Sequence, residues 1–345
     1  MTYLRWGLIA LTVAAVVALL VIFRQPIMAV LSPFIVALGV AYILNPVAQW
    51  LQQYKIPPLV SVLIIYLLFF GLVTLLLILI IPVVIEEVNH LIEQIPKYIE
   101  TAKDLLARFN EAFGRLELPQ SVQEALDAGL KNLEKWLLDS LTRIPGITTN
   151  LARGVFNVFL VLILTFYFIK DFTLIRRGFF SLVPDKNKPR VRKIYTEIDS
   201  SLGNYIRGQL LICTIVGLST YVGLLLLGVD FALILGIIAG ITNIIPYFGP
   251  FIGAMPVIIV ALLTSPLLAL KAALVMVAIQ QVESHFLSPQ ILGKSVGLHP
   301  ALVILALIAG GQFFGIIGMI LAVPTAAVIR ILVYNLWLAR EQSSA

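Results

Sequence analysis

Charge is scarce in this chain. Asp, Glu, Lys and Arg make up 12% of its 345 residues, where a soluble domain carries about a quarter. Cysteine is nearly absent. Cys213 stands alone inside an apolar run, so an internal disulfide is excluded and no metal-ligand spacing surrounds it. It reads as a core thiol. Catalytic signatures are missing too. There is no paired carboxylate, no nucleophile elbow and no GxxxxGK[ST] phosphate loop. Enzyme chemistry and direct ATP drive are therefore not expected, and neither is a cofactor. His285 and His299 are too small a set for a metal site.

What is abundant is hydrocarbon. The chain is 60% hydrophobic, with a mean hydropathy of +1.02. The apolar residues come in runs of about 18 or more, the length that spans a bilayer as a helix. A β-barrel would show short alternating segments instead. The expected class is an all-α polytopic membrane protein of about eight transmembrane helices, with an extramembrane amphipathic helical insertion. Three blocks follow from composition: residues 1–84 with spans one to three, 85–147 as an extracytoplasmic amphipathic segment, and 148–340 with spans four to eight.

The first apolar run, about Trp6 to Phe23, lacks a small-x-small cleavage site and reads as a retained span. Arg24-Gln25-Pro26 reads as a tight turn. The second span covers about Ile27 to Trp50, with Tyr42 and Trp50 suited to the headgroup level. The third covers about Leu59 to Val84. Composition then changes. Glu86 to Arg143 holds eleven acidic and seven basic residues. Val88, Leu91, Ile92, Ile95 and Ile99 recur at three- and four-residue steps, which predicts an amphipathic helix. Pro119 breaks that pattern. Ser121-Val122-Gln123-Glu124 reads as a capping box for a second helix through Leu141.

Span four is expected over about Thr148 to Ile169. Residues 170–207 carry nine basic and four acidic side chains. The positive-inside rule places this loop in the cytoplasm, and residues 86–143 outside. Beside a membrane, the basic run sets topology and contacts lipid headgroups. No nucleic-acid partner is expected. The expected setting is a membrane crossed several times by the chain.

Spans five and six are expected over about Leu210 to Leu227 and Phe231 to Leu263. The sixth contains Asn243, Pro246, Tyr247, Gly249, Pro250, Gly253 and Pro256. Each proline removes a backbone donor. Irregular backbone at membrane depth is tolerated only in protein or along a water cavity, and transporters build binding sites from such breaks. Gly236/Gly240, Gly249/Gly253 and Gly311/Gly315 read as close-packing pairs. Span seven, about Leu267 to His285, leaves the bilayer through Gln280, Glu283 and His285, with Lys294 beyond. A carboxylate beside hydrocarbon is disfavoured when charged, so its pKa should rise toward neutrality. Glu283 is the leading candidate for ion or proton coupling, with Gln280, Lys294 or His285 as partners. Alternatively, Glu283 pins the loop through Lys294. From Pro300 to Trp337, Gly310, Gly311, Gly315, Gly318 and Pro324 allow one bent span or a re-entrant hairpin. Charge and parity favour one span. Ile238-Ala239-Gly240 and Ile308-Ala309-Gly310 form a short internal echo, each before a Gly-rich stretch ending at a proline.

These stretches resemble one family. Ile245-Pro246-Tyr247-Phe248-Gly249-Pro250, Val282-Glu283-Ser284-His285-Phe286-Leu287-Ser288-Pro289, Gly293-Lys294-Ser295-Val296-Gly297-Leu298-His299-Pro300 and Gly310-Gly311-Gln312-Phe313-Phe314-Gly315 are similar to segments of the autoinducer-2 exporters of bacteria. Ala41-Tyr42-Ile43-Leu44-Asn45-Pro46 and Tyr205-Ile206-Arg207-Gly208-Gln209-Leu210 extend the likeness over nearly the whole chain. The resemblance implies a transport role, eight spans and a homo-oligomer. It implies export of autoinducer-2 or, alternatively, sodium(lithium)/proton antiport, so the substrate is a small molecule or a cation. A scaffold that recruits a partner through residues 86–143, without transporting, is the contrasting expectation.

Overall fold

The computed structural model describes residues 24–112, 135, 151–292 and 297–344. Helix is the only regular structure among them, and no strand occurs among the described residues. The elements are α1 (Arg24–Gln53), α2 (Pro58–Ala112), α3 (Leu151–Lys170), α4 (Phe172–Ser181), a 3-10 turn (Asp185–Asn187), α5 (Lys188–Leu227), α6 (Ala232–Thr242), α7 (Phe248–Thr264), α8 (Pro266–Val282), a π-helical turn (Glu283–Leu287), α9 (Ser288–Ile291) and α10 (Pro300–Ser344). Five of the described helices are long and apolar enough to cross a membrane, or six if the bent pair α3–α4 counts as one span. Large apolar side chains face outward along them, among them Leu67 at 77% exposure and Leu226 at 82%. Such a surface is stable in hydrocarbon and not in water. The chain is an all-α polytopic membrane protein.

The sequence boundaries need several corrections. Arg24-Gln25-Pro26 is not a free turn but the first turn of α1, where a proline costs no hydrogen bond. The third span does not stop at Val84, because α2 continues unbroken for 55 residues. At 1.5 Å per residue that is roughly 80 Å, far more than the ~30 Å of a bilayer core. A composition change marks the edge of the apolar medium, but the backbone hydrogen bonds that define a helix do not end there. Span five likewise starts further back, since α5 takes in the basic segment from Lys188. The expected first span and the second amphipathic helix with its capping box lie outside the described residues.

The chain packs as two compact units that interleave in sequence. One is Met1–Leu68, Phe156–Leu210 and Ser288–Ala345; the other is Phe69–Val155 and Leu211–Leu287. Packing thus groups distant segments, where composition groups contiguous ones.

In the first unit, polar side chains bridge apolar helices. Thr165 Oγ1 donates to the Ala37 carbonyl at 3.3 Å, and Tyr66 Oη donates to the Leu162 carbonyl at 2.7 Å. Without water to compete, each bridge satisfies a group that would otherwise be costly. Tyr42 ties α1 to α5. Its hydroxyl donates to Asp199 Oδ1 at 2.9 Å, and Arg207 Nη1 donates to the Tyr42 carbonyl at 3.1 Å. Gly203 allows this approach, since a Cβ there would press on Arg207 and on the Tyr42 ring.

The second unit has one apolar core. Leu224, Phe231, Leu235, Ala239, Val257, Ala261, Ala272 and Met276 are buried together, with Leu91 of α2 packed against them. α5 ends in a glycine cap. Gly228, at φ 69°, lets Val229 N–H reach the Leu224 carbonyl at 3.0 Å and its own N–H reach Leu225 at 3.1 Å. That is the paired Schellman closure, for which glycine is the low-cost residue. Cys213 is half-buried rather than fully enclosed.

Candidate functional site

The expected sixth span is two helices folded back on each other. α6 ends at Thr242, residues 243–247 turn, and α7 starts at Phe248. Two close approaches fix the reversal, and a third packs α6 on α5. A Cβ on Gly253 would fall 2.9 Å from Ala239 Cα. One on Gly249 would strike the Thr242 carbonyl and the Asn243 backbone. One on Gly240 would lie 2.9 Å from the Cys213 carbonyl of α5. Pairing of 253 with 239 and of 249 with 242 is antiparallel, with its tip in the turn. Gly236, Gly240, Gly249 and Gly253 are thus packing glycines, as their spacing implies.

The turn itself is unusual. Tyr247 has φ 65° and is half exposed, a conformation uncommon for any residue but glycine. Asn243 is 3% exposed, and its N–H caps α6 on the Ala239 carbonyl at 3.2 Å. Phe248 N–H reaches the Pro246 carbonyl at 2.8 Å, and Gly249 N–H reaches Ile245 at 2.8 Å. Pro250 sits in the first turn of α7, where its missing N–H costs nothing. Pro256 lies inside α7 and leaves the Ile252 carbonyl without its usual helical donor.

A second reversal answers the open question over 300–337. Gly315 has φ 61° and ψ −143°, outside helical space and open essentially to glycine alone. A Cβ on Gly310 would strike the Gly318 carbonyl, and one on Gly318 would strike the Gly310 carbonyl. In a continuous helix, residues eight apart are about 12 Å apart. α10 is therefore a helical hairpin with its tip at Gly315, and the single bent span favoured by charge and parity is not what forms. Gly315 is the turn, not half of a packing pair: a Cβ there would meet nothing within 4 Å. The two stretches that echo each other in sequence both fold as tight glycine-packed hairpins.

α7 and α8 each span 17 residues and pack on each other. Between them Ser265 is extended, and its side chain accepts the Leu268 N–H at 3.1 Å as an N-cap, with Pro266 pre-set for the first turn. α8 packs back along α7 and carries Gln280 near its end. After Val282 the helix widens into the π turn Glu283–Leu287, a distortion frequent at functional sites. Gln280 Nε2 donates to Glu283 Oε2 at 2.6 Å, which is charge-assisted and short. Ser284 Oγ donates to the Gln280 carbonyl at 2.8 Å. His285 is exposed, with Nδ1 3.1 Å from the Gln281 carbonyl and 3.2 Å from Ser284 Oγ. The structure thus joins Gln280 to Glu283 and sets His285 one turn of chain away. Lys294 lies outside the described residues, and so does the expected Glu283–Lys294 pair. No cluster of metal-ligating side chains occurs among the described residues.

Glu87 is a residue that sequence reasoning passes over. Phe231 starts α6 at φ 59° with no capping side chain. Glu87 Oε2 takes that role from α2, accepting the Ile234 N–H at 3.0 Å. A carboxylate there satisfies an orphan donor and meets the positive end of the helix dipole. Only the acid at position 87 is visible in sequence; its partner is not.

Broken helices, tight glycine-packed hairpins and a polar π turn are features that transporters use to bind solutes. A family profile described as AI-2E family transporter matches residues 8–337, and the chain belongs to that family. It is 36% identical over 308 residues to YrrI of Bacillus subtilis, covering 88% of this chain and 85% of that protein. It is 37% identical over 314 residues to YueF of the same organism, covering 88% and 83%. Both relatives are provisionally named as transport proteins. TqsA of Escherichia coli, named as an AI-2 transport protein, is 26% identical over 306 residues, covering 88% and 85%.

Proposed function

We propose that this chain is a secondary transporter that exports a small organic solute of the autoinducer-2 type across the inner membrane of a bacterium. The observation that carries the reading is the hairpin around Asn243–Pro256, followed in the chain by the Gln280–Glu283 pair at the π turn that ends α8. An interrupted helix frees backbone donors and acceptors that a lipid-facing helix cannot offer, and transporters bind solutes at such interruptions. The TqsA relative supports the solute class. In cells lacking their own exporters, expression of this chain should lower intracellular autoinducer-2 at a given culture density, and Glu283→Gln should weaken that effect. Unchanged intracellular levels with wild-type protein in the membrane would remove the reading.

The Gln280–Glu283 pair favours a second reading, a sodium(lithium)/proton antiporter. A carboxylate at a helix break can exchange a proton for a cation. Inverted vesicles with an imposed pH gradient would then release protons on addition of sodium or lithium, and Glu283→Gln would abolish the release. No cation-dependent release in wild type sinks this alternative and leaves the export reading standing.

A further inference from the structure

α3 bends by 67° into α4 at Asp171. α4 is short and two-sided. Ile175, Phe179 and Leu182 at its end recur at helical spacing and are 50%, 49% and 83% exposed. Its other side carries Arg176 and Arg177 towards the start of α5. Ring contacts dock the two helices, with Phe180 edge-on to Tyr195 at 5.5 Å between centroids. Between them lies a cleft of about 750 Å³ lined by Arg176, Arg177, Lys188, Arg192, Tyr195 and Thr196.

Four cations line this cleft, Arg176, Arg177, Lys188 and Arg192, and they outnumber the acids beside them. Asp185 is 93% exposed, and its 2.6 Å bond to Lys188 offsets one cation. That ammonium, by hydrogen bond and by charge, holds the Asp185 carboxyl below the usual carboxylate range. Asp199, near enough to act on Tyr195 of the lining, and Glu197 have hydrogen-bond partners of their own. Glu197 accepts from Asn335 at 3.3 Å, and Asp199 accepts from Tyr42. Among the described residues no carboxylate lies within ion-pair distance of Arg176, Arg177 or Arg192. Three guanidinium groups around one cavity match the fork geometry that takes a phosphate.

We propose that this cleft seats the phosphate headgroup of an anionic phospholipid, with Ile175, Phe179 and Leu182 lying among the acyl chains. The bent amphipathic helix selects the lipid over a free phosphate, because an exposed apolar face beside the cations has no use in binding a soluble ion. The positive-inside rule puts the site on the cytoplasmic leaflet, where anionic lipids hold basic segments. The site is independent of which solute is carried.

The test uses full-length protein in detergent, titrated with phosphatidylglycerol or phosphatidylcholine and read by native mass spectrometry. Wild type should bind phosphatidylglycerol in preference to phosphatidylcholine. Each lost cation should weaken that binding roughly five-fold, so Arg176→Gln with Arg177→Gln should weaken it about thirty-fold. Phosphatidylcholine binding should not change. Lys193→Gln, outside the cleft, should behave as wild type. Should the double variant aggregate, Arg192→Gln alone should still show the single-cation loss. Equal phosphatidylglycerol binding by the arginine variants overturns the proposal. Displacement of the lipid by millimolar inorganic phosphate also overturns it, in favour of a soluble phosphate ligand.

Discussion

Glu87 and Ile234 stand 147 positions apart in sequence, yet the Glu87 carboxylate accepts the Ile234 amide at 3.0 Å. α6 starts at a left-handed phenylalanine that cannot cap it. α2 therefore supplies the cap for the first hairpin. Glu87→Ala should lower unfolding free energy by about 1 kcal/mol and reduce the melting temperature in detergent. Glu87→Gln keeps an acceptor and should recover most of the loss. Equal melting of all three proteins would show that the contact contributes nothing.

The second hairpin depends on glycine at its crossing. Gly318→Val should destabilise the protein by roughly 1–3 kcal/mol through overpacking against the Gly310 backbone. Gly71→Ala, where a Cβ meets nothing within 4 Å, is the matched control and should be neutral or slightly stabilising. If the valine at 318 melts like wild type, residues 310 and 318 do not touch.

Gly315→Ala isolates the backbone term. There is open space around the position, so any loss comes from φ 61° and ψ −143°. About 1–3 kcal/mol is expected. A continuous helix through 315 would instead be stabilised by alanine, so the sign of the change separates hairpin from bent span.

The Tyr42–Asp199 hydrogen bond at 2.9 Å should appear as coupling. Tyr42→Phe and Asp199→Asn, singly and together, form a cycle whose interaction term should be about 1 kcal/mol. Additive losses would show that the two side chains act independently.

The apolar runs made the spans legible, because about 20 residues of hydrocarbon have few other uses. The crowding of Pro246, Gly249, Pro250 and Gly253 likewise made the break in span six legible. Its folding back did not show, because a bend and a reversal have the same composition. Only the contacts of Gly249 with Thr242 and of Gly310 with Gly318 separate them. Charge was a poor guide to the helix end, since α2 runs past Glu86 to Ala112. The partners of Tyr42, Asp199 and Arg207, did not show in the sequence because they lie more than 150 positions away. The Gln280–Glu283 contact was readable because one helical turn separates the two.

Solute flux through the first hairpin tests the account most directly. The measurement is uptake of labelled autoinducer-2 into inverted proteoliposomes containing wild-type protein, Glu283→Gln or Gly249→Val. The account predicts protein-dependent uptake by wild type, reduced at least ten-fold when a side chain is forced between Gly249 and Thr242, and reduced also in the Glu283 variant. Uptake no greater than in protein-free vesicles, or full uptake with the hairpin crossing blocked, would contradict it.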